Sequence, residues 1–143
     1  MTKALVLPEP MESLVRAIED TAPEDIVAAA VDRLRSGIAA KDLVAASVLA
    51  VSRATDLPTD HHGGPVHPVC GTFGVLGAAA RLGGDWALMP VVHAAALANK
   101  HVHSPEMGPY IMPVLEPATA NGGADAVDEA FTIDVPLEPV VAL

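Results

Sequence analysis

Cysteine occurs once in this chain, at Cys70, so no internal disulfide framework can form and a zinc site built from cysteines alone is excluded within one chain. Aromatic residues are almost as scarce: Phe, Trp and Tyr together make up 3% of the composition, so any core must be filled by small and aliphatic side chains. Cations are few as well. Eight Lys and Arg stand against 18 Asp and Glu, giving a net charge of −10 that repels phosphate backbones and anionic lipid and argues against nucleic-acid and membrane partners. Long apolar runs are missing too. The longest, Trp86 to Ala98, is broken by Pro90 and His93 and falls short of the roughly 20 residues that cross a bilayer. The start, Met1-Thr-Lys-Ala-Leu-Val-Leu-Pro, has one lysine, a very short apolar stretch and no small-residue cleavage site, so a cytoplasmic location is the expectation.

What is abundant is alanine, 26 of 143 residues, within an apolar fraction of 51%. Alanine has the highest helix propensity, and small side chains let helices approach closely, so the expected fold class is all-α in a single domain. Residues 1–11, with Pro8 and Pro10, read as an extended arm, followed by a helical domain over 12–103. Its first helix covers 12–20, with Leu14, Val15 and Ile18 at helical spacing. Thr21 is the expected N-cap of a second helix with Pro23, Glu24 and Asp25 in its first turn and an apolar stripe of Ile26, Val27, Ala30, Val31 and Leu34, closed by Ser36-Gly37. A third helix spans 41–54. A Gly/Pro loop over 55–65 leads to a fourth helix from 67 or 68 to 82, ended by Gly83-Gly84. Asp85 is the expected cap of a fifth helix over 86–100, irregular at Pro90. Residues 104–143 hold six prolines and read as an extended arm, with one short strand expected over 128–136.

Ala30-Val-Asp-Arg-Leu-Arg-Ser-Gly followed by Leu43-Val-Ala-Ala-Ser-Val-Leu-Ala resembles Ala78-Ala-Ala-Arg-Leu-Gly-Gly followed by Leu88-Met-Pro-Val-Val-His-Ala-Ala. The offset of 45 to 48 residues lies in the range of helical-hairpin repeats, so HEAT-like pairs are one reading and chance similarity of Ala-rich helices the other. Either leaves apolar faces uncovered. A homo-oligomer, with the C-terminal arm reaching across a partner, follows as an expectation.

All six histidines lie between positions 61 and 103. If the fourth and fifth helices form an antiparallel hairpin turning near residue 84, position 67 faces position 101, which gathers His61, His62, His67, His101 and His103 at one end. His93 lies eight residues before His101, about 12 Å along a helix, and stands apart. Imidazole-rich sites suit Fe, Cu or Zn, so these five are the candidate metal ligands. His101-Val-His103 can share one metal only in extended chain, since residues two apart on a helix diverge, and Ser104-Pro105 favours the extended reading. Asp60 and Glu106 are the neighbouring carboxylates. Glu106 and His103 are the candidate proton-transfer groups beside a metal-bound water, and His93 is the candidate axial ligand should the cofactor be haem.

Each has a plainer alternative. His61-His62 can be a solvated pair, His67 a helix-entry residue, His93 a core or interface histidine, and Cys70 a small buried hydrophobe rather than a ligand or nucleophile. Gly63-Gly64 lacks the strand and lysine of a phosphate loop. Trp86, Met89, Met107, Tyr110 and Met112 can line a pocket, with core packing as the favoured role. The histidine spacings match neither His-Glu-x-x-His nor paired Glu-x-x-His signatures. The expected function is therefore a metal-dependent enzyme, an oxidoreductase or oxygenase using iron or copper on a small organic substrate, with zinc hydrolysis also open. The alternatives are a non-enzymatic metal- or haem-binding protein and a helical interaction module without metal.

Overall fold

A computed structural model of the chain describes residues 5–55 and 66–107. Of these residues 73% are helical and none forms a strand, as an alanine-rich, aromatic-poor composition dictates. The helices are α1 (Met11–Glu19), α2 (Ile26–Arg35), α3 (Ala40–Ala54), α4 (Val66–Cys70), α5 (Thr72–Arg81) and α6 (Leu88–Val102), with a 3₁₀ turn at Gly84–Ala87 before α6. No helix among the described residues is long and apolar enough to cross a membrane.

The two long helices, α3 and α6, make the most extensive contact and form the centre of the fold. Each presents an aliphatic stripe at spacings of three and four: Leu43, Val44, Ala50, Val51 and Ala54 on α3, and Val91, Val92, Ala95, Ala98 and Val102 on α6, all buried. Leu14, Val15 and Ile18 of α1 and Ala30 of α2 complete the same core. Alanine at the contact positions lets the axes come close, which is how a core with so few aromatics can still be well packed. Ser47 is buried too; its hydroxyl donates to the Leu43 carbonyl one turn back, at 2.8 Å.

α3 and α6 share one burial pattern. α2 and α5 each have 10 residues and end in arginine, Arg35 and Arg81, while α3 and α6 each have 15. Every buried residue of α3 has a buried counterpart 48 positions on in α6: Leu43 and Val91, Val44 and Val92, Ala46 and Ala94, Ser47 and Ala95, Ala50 and Ala98, Val51 and Asn99, Arg53 and His101, Ala54 and Val102. Both connections turn at a glycine with positive φ, Gly37 at 103° and Gly84 at 55°, conformations that a side chain disfavours. The second connection is two residues longer and coils into the 3₁₀ turn. The likeness lies in α3 and α6; the helices before them pack differently, α5 along α6 and α2 chiefly on α6 instead of on α3.

Several local expectations change. Thr21 does not cap α2: its hydroxyl donates back to the Ala17 carbonyl and so closes α1, and α2 starts behind Asp25. The fourth helix divides at Gly71 into α4 and α5, where the Thr72 hydroxyl reaches the carbonyls of Val69 (2.8 Å) and Pro68 (3.2 Å). Asp85 lies within the 3₁₀ turn instead of capping α6, and its carboxylate pairs with Arg35 at 3.2 Å. Pro90 sits in the first turn of α6, where a missing N–H costs nothing, so the irregularity precedes it. The chain stays helical through Val102, and Ser104 to Met107 forms a turn closed by a 3.2 Å bond from Met107 N–H to the Ser104 carbonyl. The anticipated strand over 128–136, most of the C-terminal arm and most of the 55–65 loop lie outside the described residues.

Candidate functional site

The last turns of α3 and α6 each bury one long polar side chain in the same register, Arg53 and His101. A buried guanidinium requires partners, and α1 provides them. Arg53 donates to both Glu19 oxygens at 3.0 and 2.7 Å, to Glu12 at 2.6 Å and to the Leu5 carbonyl at 3.3 Å. Glu12 is itself buried, accepts the Leu7 N–H at 2.8 Å and pairs with Arg16 at 2.6 Å. Burial pushes the Glu12 carboxyl upward, but the Leu7 N–H, the hydrogen bond from Arg53 and the charges of Arg53 and Arg16 outweigh it and hold the group below its ordinary value. Hydrogen bonding to Glu19 leads the causes that raise the Arg53 guanidinium above its ordinary value, against the opposing pull of burial. The first half therefore ends in a closed network of charged groups.

The second half ends differently. His101 is buried in the last turn of α6, and its main-chain carbonyl accepts the Ser104 N–H at 3.1 Å. α4 packs against both α3 and α6, and α5 packs along α6, which follows it after the 3₁₀ turn. His67, near the start of α4, is exposed.

His103 points elsewhere. Because the helix continues through Val102, with His103 at φ −91° and ψ 4° as its C-cap, the extended reading of 101–103 does not hold, and the two rings lie about 200° apart around the axis. The His103 Nε2 is 2.9 Å from the Glu19 carbonyl oxygen, and since a carbonyl only accepts, this nitrogen carries the proton. His103 thus fastens the end of α6 to the end of α1, and only Nδ1 remains available to a metal.

The other candidates fall in varied places. His93 is exposed on α6, away from the core it was weighed for. Cys70 is a free, exposed thiol, so the buried-hydrophobe alternative does not apply to it. Glu106 is exposed, its N–H 3.4 Å from the Ser104 hydroxyl. His61, His62, Asp60, Tyr110 and Met112 lie outside the described residues. Among the described residues, no three His, Cys, Asp or Glu side chains are grouped so as to hold a metal.

Two features escape a reading by residue type. Asn99 is fully buried, and its Nδ2 donates to the carbonyls of Ile18 at 2.7 Å and Thr21 at 2.8 Å, tying α6 to the end of α1. Its place in the apolar stripe of α6 was the available signal. The second is an open groove between α2 and α6. Trp86 and Met89, favoured as core residues, are instead 68% and 56% exposed along it.

No protein family, curated protein or solved structure matches the chain.

Proposed function

We propose that the chain is a histidine-ligated metal-binding protein, most consistent with an oxidoreductase that uses iron or copper on a small organic substrate, with its centre at the end of the bundle where α4 begins and α6 ends. The observation that carries this reading is the equivalence of Arg53 and His101 in the repeat. In the first half the buried polar position holds a guanidinium that neither titrates near neutrality nor binds metal, neutralised by Glu12 and Glu19 of α1. In the second half the same position holds an imidazole, a group that does both.

The preceding segments differ in the same sense. Where α1 carries Glu12 and Glu19 ahead of α2, the chain ahead of α5 carries Asp60, His61, His62 and His67. A duplicated frame that keeps a structural ion pair in one copy and replaces it with imidazoles in the other is what a specialised site leaves in a sequence. Such nitrogen-rich ligation suits iron, copper or zinc over magnesium or calcium. The aliphatic neighbours Ala98 and Val102 supply a water-poor wall beside His101, which favours redox chemistry over hydrolysis.

The test is elemental analysis of protein purified without a histidine tag, before and after anaerobic reconstitution with Fe(II), Cu(I) and Zn(II). About one equivalent of iron or copper, lost in a folded His67→Ala/His101→Ala variant, is the expected result. Less than about a tenth of an equivalent of any transition metal would refute the proposal, and retention of zinc alone would remove the redox part of it.

A further inference from the structure

Val27, Val31 and Arg35 recur every fourth residue and so form one ridge of α2. α2 runs antiparallel to α6: Arg35 at its end pairs at 3.2 Å with Asp85 just ahead of α6, and the Thr21 carbonyl ahead of α2 accepts the Asn99 amide late in α6 at 2.8 Å. Between the ridge and the start of α6 lies an open groove of about 370 Å³, lined by Val27, Val31, Trp86, Leu88, Met89 and Val92 with the Arg35–Asp85 pair at its rim. Trp86, Met89 and Val27 are each more than half exposed. An aromatic ring standing in water among aliphatic neighbours marks a surface made to be covered.

The charges at the rim identify the cover. Of the described residues that line the groove, Arg35 and Asp85 alone are charged, and each answers the other, so a strongly acidic or basic partner gains nothing there. Two copies of a chain of net charge −10 repel one another overall, and a neutral apolar patch is where that repulsion is weakest. The ion pair also complements itself. In a two-fold contact residue i meets j and j meets i, so an axis passing beside the pair sets Arg35 against the partner's Asp85 and Asp85 against the partner's Arg35. Both side chains are exposed enough to make that ring of four alternating charges, at 60% and 85%. Trp86 follows Asp85 directly, so the same axis brings each indole to the opposite groove. Area agrees: Trp86, Met89, Val27, Arg35 and Asp85 together expose roughly 600 Å², most of the roughly 800 Å² that each partner buries in a standard interface.

We infer that a second copy of the chain binds at this groove, in a two-fold dimer in which Trp86 of each copy enters the groove of the other and the Arg35–Asp85 pairs exchange partners. The indole is the apolar anchor and supplies the affinity, and the charges around it fix the register. The contact lies at the start of α6 and the proposed metal centre at its end, so each stands or falls without the other.

Sedimentation equilibrium of the full chain, with Trp86 emission followed over a dilution series, tests the contact, since Trp86 is the only tryptophan. The expected result is the mass of two chains and a blue-shifted indole that moves to the red as dilution separates them. Trp86→Ser should weaken dimerisation by roughly 30-fold, the scale of an anchoring side chain. Met89→Ser should weaken it less, and both should keep the helix content of the parent because each side chain is mostly exposed in the single chain. Charge reversal is decisive. Arg35→Asp makes the rim wholly acidic and Asp85→Arg makes it wholly basic, so each variant alone should be monomeric where the parent is dimeric. An equimolar mixture of the two should restore a dimer, because every acid then faces a base across the axis, which an ion pair acting within one chain cannot do. A parent that stays monomeric up to about 0.1 mM overturns the proposal. So does a dimer that Trp86→Ser leaves intact, or a pair of charge variants that stay apart when mixed.

Discussion

Arg53 and His101 occupy the same turn of two matched helices, 48 positions apart, and each is 8% exposed. The frame around them is common to both halves of the domain: the aliphatic stripe, the helix lengths and the glycine turn. What differs is the chemistry at the buried end. One half stores a fixed charge that α1 neutralises, and the other buries an imidazole. Two buried pairs near the helix ends differ in polarity or charge, Arg53 against His101 and Val51 against Asn99.

Because Arg53 has two carboxylate partners, its loss should be felt chiefly through what it leaves behind. Arg53→Leu strands the buried Glu12 without its main counter-charge, and the expected cost is about 3–5 kcal/mol. Arg53→Leu/Glu12→Leu removes both charges and should recover a substantial part of that loss. Urea unfolding followed by far-ultraviolet circular dichroism on the parent, both single variants and the double variant gives the coupling. A double variant no more stable than Arg53→Leu would show that the pair is not the source of the cost.

The same network sets an acid limit. Glu12 has its carboxyl held below the ordinary value in the folded state, so its contribution to stability is fully present above the unfolded value near 4.5 and is lost as pH falls through the lower folded value. Stability should therefore decline on acidification below about pH 5, and the decline should be shallower in Glu12→Gln, which starts less stable. Thermal unfolding between pH 3 and pH 7 measures both slopes. Parallel profiles for parent and variant would show that other carboxylates govern the acid limb.

Much of this architecture was legible in the chain. Helical spacing and alanine content specify the fold class, whereas the likeness of 30–50 to 78–95 left a repeat and chance similarity of Ala-rich helices both open. The packing of α5 on α6 agrees with a hairpin turning near Gly84. The details that went astray are those decided by side chains competing for backbone groups. Thr21 bonds backward to α1 where it was expected to cap α2, and His103 ends α6 as its C-cap, its imidazole tied to the Glu19 carbonyl, where extended chain was expected. The Arg53 network was invisible for a different reason: its members lie 34 and 41 residues apart, and nothing local marks a charged residue as buried until α1 is seen packed on α3.

Asn99 offers a test of the repeat itself. Its counterpart in α3 is Val51, a simple core residue, whereas Asn99 satisfies the carbonyls of Ile18 and Thr21 where α1 ends. Asn99→Val makes the two helices alike at this position but leaves two carbonyls without their donor, and the expected loss is about 1–3 kcal/mol. Val51→Leu, which only alters packing, should cost less. Chemical denaturation of both variants decides, and an Asn99→Val protein as stable as the parent would mean that water replaces the amide at no cost.

The last expectation separates the two histidines at the end of α6. His103 already spends Nε2 on the Glu19 carbonyl and is exposed, so His103→Ala should remove one surface hydrogen bond, worth about 0.5–1.5 kcal/mol. Its metal content should change little. His101→Ala alters a buried position that corresponds to a charged one in the other half, and there the metal should be lost while the helices remain. The contrast is read by pairing unfolding curves with metal stoichiometry for each single variant. If His103→Ala empties the site as fully as His101→Ala, then His103 binds through Nδ1 and the fastening to Glu19 serves to orient a ligand, as hydrogen bonds to the second ring nitrogen do in metal centres generally. If neither substitution changes the metal content, the centre lies elsewhere and the equivalence of Arg53 and His101 is structural alone.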